Sequence, residues 1–169
     1  MAKFIFLDFD GVMDTFRYSN CLYHKGKPEN DRFGTVFDPD CIKALEKIID
    51  ATGAEIVISS SWKVHMSYGQ ILEMWKERNL PGFVTDATPT CSSRRGEEIA
   101  AWLDIFTKNS GGEEYAYVIL DDLCEDNFNE DQIPHLVQID DYEGLTDYAA
   151  DKAIEVLENG RQTASMGVL

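Results

Sequence analysis

No apolar stretch in this chain comes near the roughly 20 residues that a membrane-spanning helix needs, and the run closest to the N-terminus meets Asp8 after four apolar residues. A membrane-spanning helix is therefore excluded. A secretory leader is not expected either, because that run is too short for its apolar core and no small-residue cleavage site follows. Cysteine is sparse: Cys21, Cys41, Cys91 and Cys124 form no Cys-x-x-Cys pair, and only His24, His65 and His135 are available to join them around zinc. This usage fits a reduced cytoplasm. Positive charge is also scarce, with 15 basic against 31 acidic residues, a net charge of −16 and no run of Lys or Arg. Charge-driven, sequence-independent binding of nucleic acid is thereby disfavoured, although a small site could still act on a nucleic-acid end. The chain shows no internal repeat and no low-complexity tract.

What is present is an ordinary soluble composition, 44% hydrophobic and 27% charged over 169 residues, enough for one domain that buries roughly 70% of its unfolded surface. Short apolar runs rich in β-branched and aromatic residues predict strands at 3–7, 54–58, 116–120 and 135–139. Stripes at spacings of three and four predict helices at 39–52, 68–79, 95–106 and 146–158, the last capped by Thr146 and closed at Asn159-Gly160. Strands alternating with helices require crossover connections. The expected fold is α/β and doubly wound, a Rossmann-like three-layer sandwich around a central parallel sheet. Residues 14–38 break the rhythm with Gly, Pro and charged residues and read as a small flap or cap insertion, expected as a β-hairpin. One domain over 1–160 is expected, with 161–169 as a frayed tail.

The most informative segment is Phe4 to Val12, where an apolar run ends in Asp8 and Asp10, followed at once by Gly11. Extended backbone puts both carboxylates on one face, and glycine permits a sharp turn beyond them. At about 4 Å and an effective dielectric near 20, two such charges repel by on the order of 4 kcal/mol, which points to a divalent cation. In an open α/β sheet, ligands lie outside the carboxyl ends of the strands. There the chain places Asp8 and Asp10, then Ser59, Ser60 and Ser61 with Lys63, then Asp121 and Asp122 with Glu125 and Asp126 beyond. Arg94 and Arg95 open the third predicted helix, and Arg95 or Lys63 is the cation that would let an anion approach.

These residues resemble the haloacid-dehalogenase-like (HAD) superfamily of aspartate-nucleophile phosphohydrolases. Asp8-Phe9-Asp10-Gly11-Val12 looks like its first motif, a hydroxyl after the second strand its second, a Lys or Arg its third, and Ile119-Leu120-Asp121-Asp122 its fourth. The likeness runs from the first strand to the Gly144-Leu145-Thr146 helix start and is nearest to small-capped members, including HAD-like domains of RNA-repair proteins. It implies that Asp8 attacks phosphorus to form an aspartyl-phosphate, while Asp10 protonates the leaving oxygen and then activates water. It also implies Mg²⁺ on Asp8, the Asp10 main-chain carbonyl, and Asp121 or Asp122, all hard oxygen donors. Phosphate contacts fall to Ser60, with Ser59 as the alternative, and to Arg95, with Lys63 as the alternative. Ser60 is preferred because the related pattern puts its hydroxyl two residues before a tryptophan, whereas the family's third motif is more often lysine than arginine.

Plainer roles are expected elsewhere. Arg94 reads as a surface charge, Glu125 and Asp126 as an exposed loop or as support for metal ligands, and Trp62, Trp75 and Trp102 as core. The three histidines have no metal spacing, and the flap aromatics Tyr18, Tyr23 and Phe33 are placed to cover the site. The expected function is a cytoplasmic, Mg²⁺-dependent phosphomonoesterase acting on a small phosphorylated substrate. Two alternatives are a phosphatase that processes nucleic-acid ends and a non-catalytic HAD-like binding module. Nothing in the chain specifies an oligomeric state.

Overall fold

A computed structural model describes residues 1–162. Its sheet carries five parallel strands in the order β5-β4-β1-β6-β7, with β1 Ala2–Leu7, β4 Glu55–Ile58, β5 Val84–Ala87, β6 Tyr115–Asp121 and β7 Leu136–Gln138. β8, Arg161–Gln162, runs antiparallel to the start of β6. The helices are α1 Phe16–His24, α2 Pro39–Thr52, α3 Tyr68–Glu77, α4 Arg95–Asn109 and α5 Asp147–Asn159. The short strands β2, Asn30–Asp31, and β3, Gly34–Thr35, pair as a separate hairpin. This is the α/β, Rossmann-like arrangement that strand and helix alternation predicts.

Alternation along each strand divides the core. Ile5, Leu7, Ile56, Ile58, Val118 and Leu120 face α2, α3 and α5, whereas Phe4, Phe6, Val57, Tyr117 and Ile119 face α4. On the α4 side the packing is aromatic: Trp102 meets Phe4 edge-on at 4.9 Å and stacks on Phe106 at 5.7 Å. β1 is hydrogen-bonded on both sides, so its carboxyl end is fixed by two neighbours. The caps follow the sequence. The Asp38 side chain accepts from Asp40 N at α2, which stops at left-handed Gly53 (φ 67°), and Thr146 Oγ1 accepts from Ala149 N at α5.

Three elements differ from the sequence expectation. The insertion opens with a full helix, α1, that buries only Leu22, so no apolar stripe announces it. What sets α1 is its cap: Thr15 Oγ1 accepts from Tyr18 N at 3.0 Å, and Asp38 accepts from both Thr15 Oγ1 (2.8 Å) and Arg17 (2.9 Å). The second difference is edge strand β5, whose Thr85 and Asp86 interrupt the apolar pattern because only one side of it is paired. The third is that Arg161 and Gln162, expected in the tail, pair with Ala116 and Tyr115; residues 163–169 of that expected tail lie outside the described residues.

One close approach positions the start of α4. A Cβ on Gly96 would lie 2.5 Å from Gln132 Oε1 and 2.7 Å from Phe128 Cα, so backbone packs on backbone beside Arg95. Gly96→Ala is expected to destabilise the protein by about 1–3 kcal/mol through overpacking. The urea midpoint should fall accordingly, and an unchanged midpoint would show that this contact is loose.

Candidate active site

The site grows out of three adjacent strand ends. Beyond β1, Asp8 N still donates to Leu120 O (3.0 Å), and Ser59 N donates to Leu7 O (2.9 Å), so Asp8 is pinned between the ends of β4 and β6. Phe9 N then donates to Asp8 Oδ1 at 2.8 Å, which fixes the carboxylate. Gly11 turns the chain with φ 76°, and a Cβ there would meet Asp122 Oδ2 at 2.5 Å. Glycine is required on both counts, the left-handed backbone and the carboxylate lying against it.

Asp8, Asp121 and Asp122 each bring one carboxylate oxygen to within 4.8 Å of the others. Asp121 is fully buried at the end of β6 and accepts from Leu123 N at 3.0 Å through Oδ1. Its Oδ2 lies 3.0 Å from Arg95 Nε but off the hydrogen-bond line, and so is buried without a hydrogen-bond partner among the described residues. An orphaned carboxylate oxygen inside an all-oxygen donor set fits a hard divalent cation such as Mg²⁺. The Asp10 side chain does not join this group. Its Oδ1 accepts from the Trp62 indole N–H at 2.8 Å.

Arg95 is the cation at the centre. It is 12% exposed, with Nη2 at 3.5 Å from Asp8 Oδ1, Nε beside Asp121 and Nη1 donating to Ser59 O. Lys63, the other basic candidate, has its ammonium engaged by Thr88 O (3.3 Å), Pro89 O (3.1 Å) and Glu98 Oε2 (2.6 Å). Three donors thus meet three acceptors, which leaves Arg95 as the basic group at Asp8. The serines also separate. Ser60 Oγ accepts from Trp62 N at 3.3 Å and caps a 3₁₀ turn over Ser61–Val64, whereas Ser59 Oγ is buried with no partner among the described residues. Ser59, the alternative to Ser60, is thus the serine whose hydroxyl has no structural bond to keep.

Burial and crowding shape the charges. Burial first, then the charge of Asp121, pushes Asp8 up to about 8 against the pull of Arg95. Burial also lifts Asp121 to about 6, opposed by Arg95 and by the hydrogen bond from Leu123 N, and raises Asp122. Asp14, which the sequence reading passed over, is pushed to about 8 by burial and then by its hydrogen bond with Asp10. Its Oδ1 accepts from Gly11 N at 3.2 Å, so it braces the turn that carries Asp10. Asp141 is a second acid not foreseen; it lies against Gly11 and Asp122. An aspartate four residues beyond Asp10, in the same tight turn, was the available signal for Asp14 alone.

Asp10, Asp14, Asp122 and Asp141 line a cleft of about 360 Å³ with Thr15, Phe16 and Ser19 of the insertion. Larger cavities of about 460 and 670 Å³ lie at the starts of α2 and α5 and at the opposite end of the strands. Chemistry rather than size selects the smaller one. Arg94 behaves as a tether, donating to Asp126 O and Phe128 O, and Glu125 and Asp126 are exposed on a 3₁₀ turn outside the acidic group.

A family described as the HAD domain in Swiss Army Knife RNA repair proteins matches residues 4–150. No curated protein and no solved structure gives a significant match.

The raised carboxyls dictate a pH dependence. Asp8, Asp14 and Asp121 bind protons more tightly when folded than at their ordinary 3.8, so their contribution to stability is full below that value and is lost as pH rises through about 6 to 8. The slope is on the order of 1 kcal/mol per pH unit for each titrating carboxyl. Protein stripped of divalent cations with a chelator is expected to melt lower at pH 8 than at pH 5.5, with Mg²⁺ recovering most of the difference. Melting curves independent of both pH and Mg²⁺ would contradict the clustering.

Proposed function

The chain belongs to the HAD-domain family of Swiss Army Knife RNA repair proteins, and on that premise we propose that it is a Mg²⁺-dependent phosphomonoesterase working through an aspartyl-phosphate on Asp8. The family supports a phosphohydrolase-type function in general. The single observation that carries the finer reading is the meeting of Asp8, Asp121 and Asp122 at one strand rim beside Arg95.

Asp8, Asp121 or Asp122 and the Asp10 main-chain carbonyl would hold the metal. When bound, Mg²⁺ supplies positive charge that lets Asp8 ionise and a phosphate dianion approach it. An Asp8 oxygen then attacks phosphorus as the bond to the leaving oxygen breaks, and Asp10 transfers its proton to that oxygen. In the second half Asp10, now a carboxylate, takes a proton from water. The resulting hydroxide attacks phosphorus, the bond to Asp8 breaks, and inorganic phosphate leaves. Arg95 and the Ser59 hydroxyl donate to the equatorial phosphoryl oxygens, where charge spreads in the transition state.

The substrate class follows from access and charge. The insertion is a nine-residue helix and a two-strand hairpin rather than a covering domain, and the net charge of −16 opposes long polyanions. A small phosphomonoester is the favoured substrate. The family's association with RNA repair favours a second reading, a phosphorylated nucleic-acid end.

Release of phosphate from phenyl phosphate should require Mg²⁺, and Asp8→Asn should lower kcat by roughly 10³-fold or more. Equal rates for the two proteins would remove the assignment. Parallel assays with 3′- and 5′-phosphorylated oligonucleotides and with sugar phosphates decide between the substrate classes.

The serines give an independent test. Ser59→Ala should lower kcat/KM by about 10- to 100-fold through loss of one donor to a charged group, with little change in melting temperature. Ser60→Ala should instead cost about 1 kcal/mol of stability by removing a cap. The reverse pattern would return the phosphate contact to Ser60.

A further inference from the structure

We propose that Trp62 is a positioning residue for Asp10: its indole N–H fixes which carboxyl oxygen carries the proton delivered to the leaving group. This rests on the acid–base role given to Asp10 above. The indole Nε1 is a donor only, and it lies 2.8 Å from Asp10 Oδ1. Oδ1 must therefore accept whether Asp10 is protonated or ionised. With Oδ1 taken by the indole, the transferable proton is left to Oδ2, whose O–H bond breaks as the leaving oxygen is protonated and re-forms when water is deprotonated; Asp14 is the other side chain hydrogen-bonded to this carboxyl. A carboxyl free to rotate would present either oxygen and hold its proton in the wrong place part of the time.

The ring is built in rather than resting on the surface. The Ser60 cap starts its turn, Phe9 meets the indole edge-on at 5.3 Å, and Phe37 lies tilted at 5.9 Å. Phe9 separates Asp8 from Asp10 in the chain, so the ring that orients the acid also packs on the residue next to the nucleophile. From outside, the hairpin closes on the indole. A Cβ on Gly34 would lie 3.2 Å from Trp62 Cη2, and Gly34 holds φ 131°, a conformation that disfavours any side chain.

Arg78 locks this arrangement. Its guanidinium is 9% exposed, lies 4.7 Å from the Phe37 centroid and 5.8 Å from that of Trp62, and donates to Asp31 at 2.8 Å and to Gly34 O at 3.2 Å. Arg32 ties the same hairpin to Glu73 and Glu77 of α3. The insertion thus acts as a clamp on the indole, and through one hydrogen bond on the general acid.

The test is Trp62→Phe, which keeps an aromatic ring and removes the N–H, assayed with p-nitrophenyl phosphate and glycerol 2-phosphate. A nitrophenolate leaves without a proton, whereas the glycerol alkoxide needs one. The expected result is a fall in kcat/KM, which reports the step that expels the leaving group, of roughly tenfold or more on glycerol 2-phosphate and less than about threefold on p-nitrophenyl phosphate. In an Asp10→Asn background, Trp62→Phe should cost nothing further on either substrate. Equal losses of kcat/KM on the two substrates, or a full additional loss in the Asp10→Asn background, would overturn the role.

An inactive wild-type protein, or a fully active Asp8→Asn, would instead overturn the parent reading and this role with it. Should Trp62→Phe fail to fold, the indole N–H resonance of Trp62 in ¹⁵N-tryptophan-labelled protein decides. It should move on Asp10→Ala, and a resonance that stays in place would overturn the contact.

Discussion

Asp8, Asp121 and Asp122 converge to within 4.8 Å while one guanidinium, that of Arg95, touches two of them. Each like-charged pair at about 4 Å costs on the order of 4 kcal/mol at an effective dielectric near 20, and a single cation cannot offset three carboxylates. The imbalance explains why burial and mutual repulsion lift Asp8 to about 8 and Asp121 to about 6. Carboxyls whose protons a divalent cation would displace fit a metal site in their titration as well as in their donors. In the proposed reaction the same neutralisation would leave Asp8 ionised, so that stability and reactivity would depend on one electrostatic deficit.

The fold holds that deficit in place by spending interactions away from the acids. β1 is bonded on both sides, so Asp8 cannot retreat from Asp121 without breaking the ladder that continues through Asp8 N and Leu120 O. Gly11 admits Asp122, and Gly96 lets the start of α4 press on the segment around Phe128 so that Arg95 reaches across. The buried pair of Lys63 and Glu98 joins the turn after β4 to α4, and Glu98 also accepts from Cys91 N, which steadies the loop leading to Arg95. Breaking one partner of such a pair leaves a buried charge uncompensated, so the two are expected to behave as a unit.

Much of this was legible because it is periodic. The runs at 3–7, 54–58 and 116–120 are strands in the structure, and α2 spans the 39–52 that its apolar stripe predicts. The acids were legible because they follow such strands at once. What escaped the sequence has in common that its partners are distant in the chain. α1 buries only Leu22 and depends on Asp38 for its cap. Trp62 reads as core from its neighbours, and only the fold brings Asp10 to its N–H across 52 positions. That Ser60 rather than Ser59 caps the next turn is a matter of hydrogen bonds that adjacent identical residues cannot reveal.

The two carboxylates of the first motif are thus governed from opposite sides by unrelated means. Asp8 is held by charge, through Arg95 from α4, and by the backbone of its neighbours; Asp10 is held by a neutral donor, through Trp62 and the hairpin behind it. A cation beside a carboxylate favours its charged form, whereas an indole N–H orients a carboxyl while adding no net charge. Placing the guanidinium on one aspartate and the indole on the other gives two carboxyls two positions apart in the chain different electrostatic surroundings, which is what the nucleophile and acid–base roles proposed for them would require.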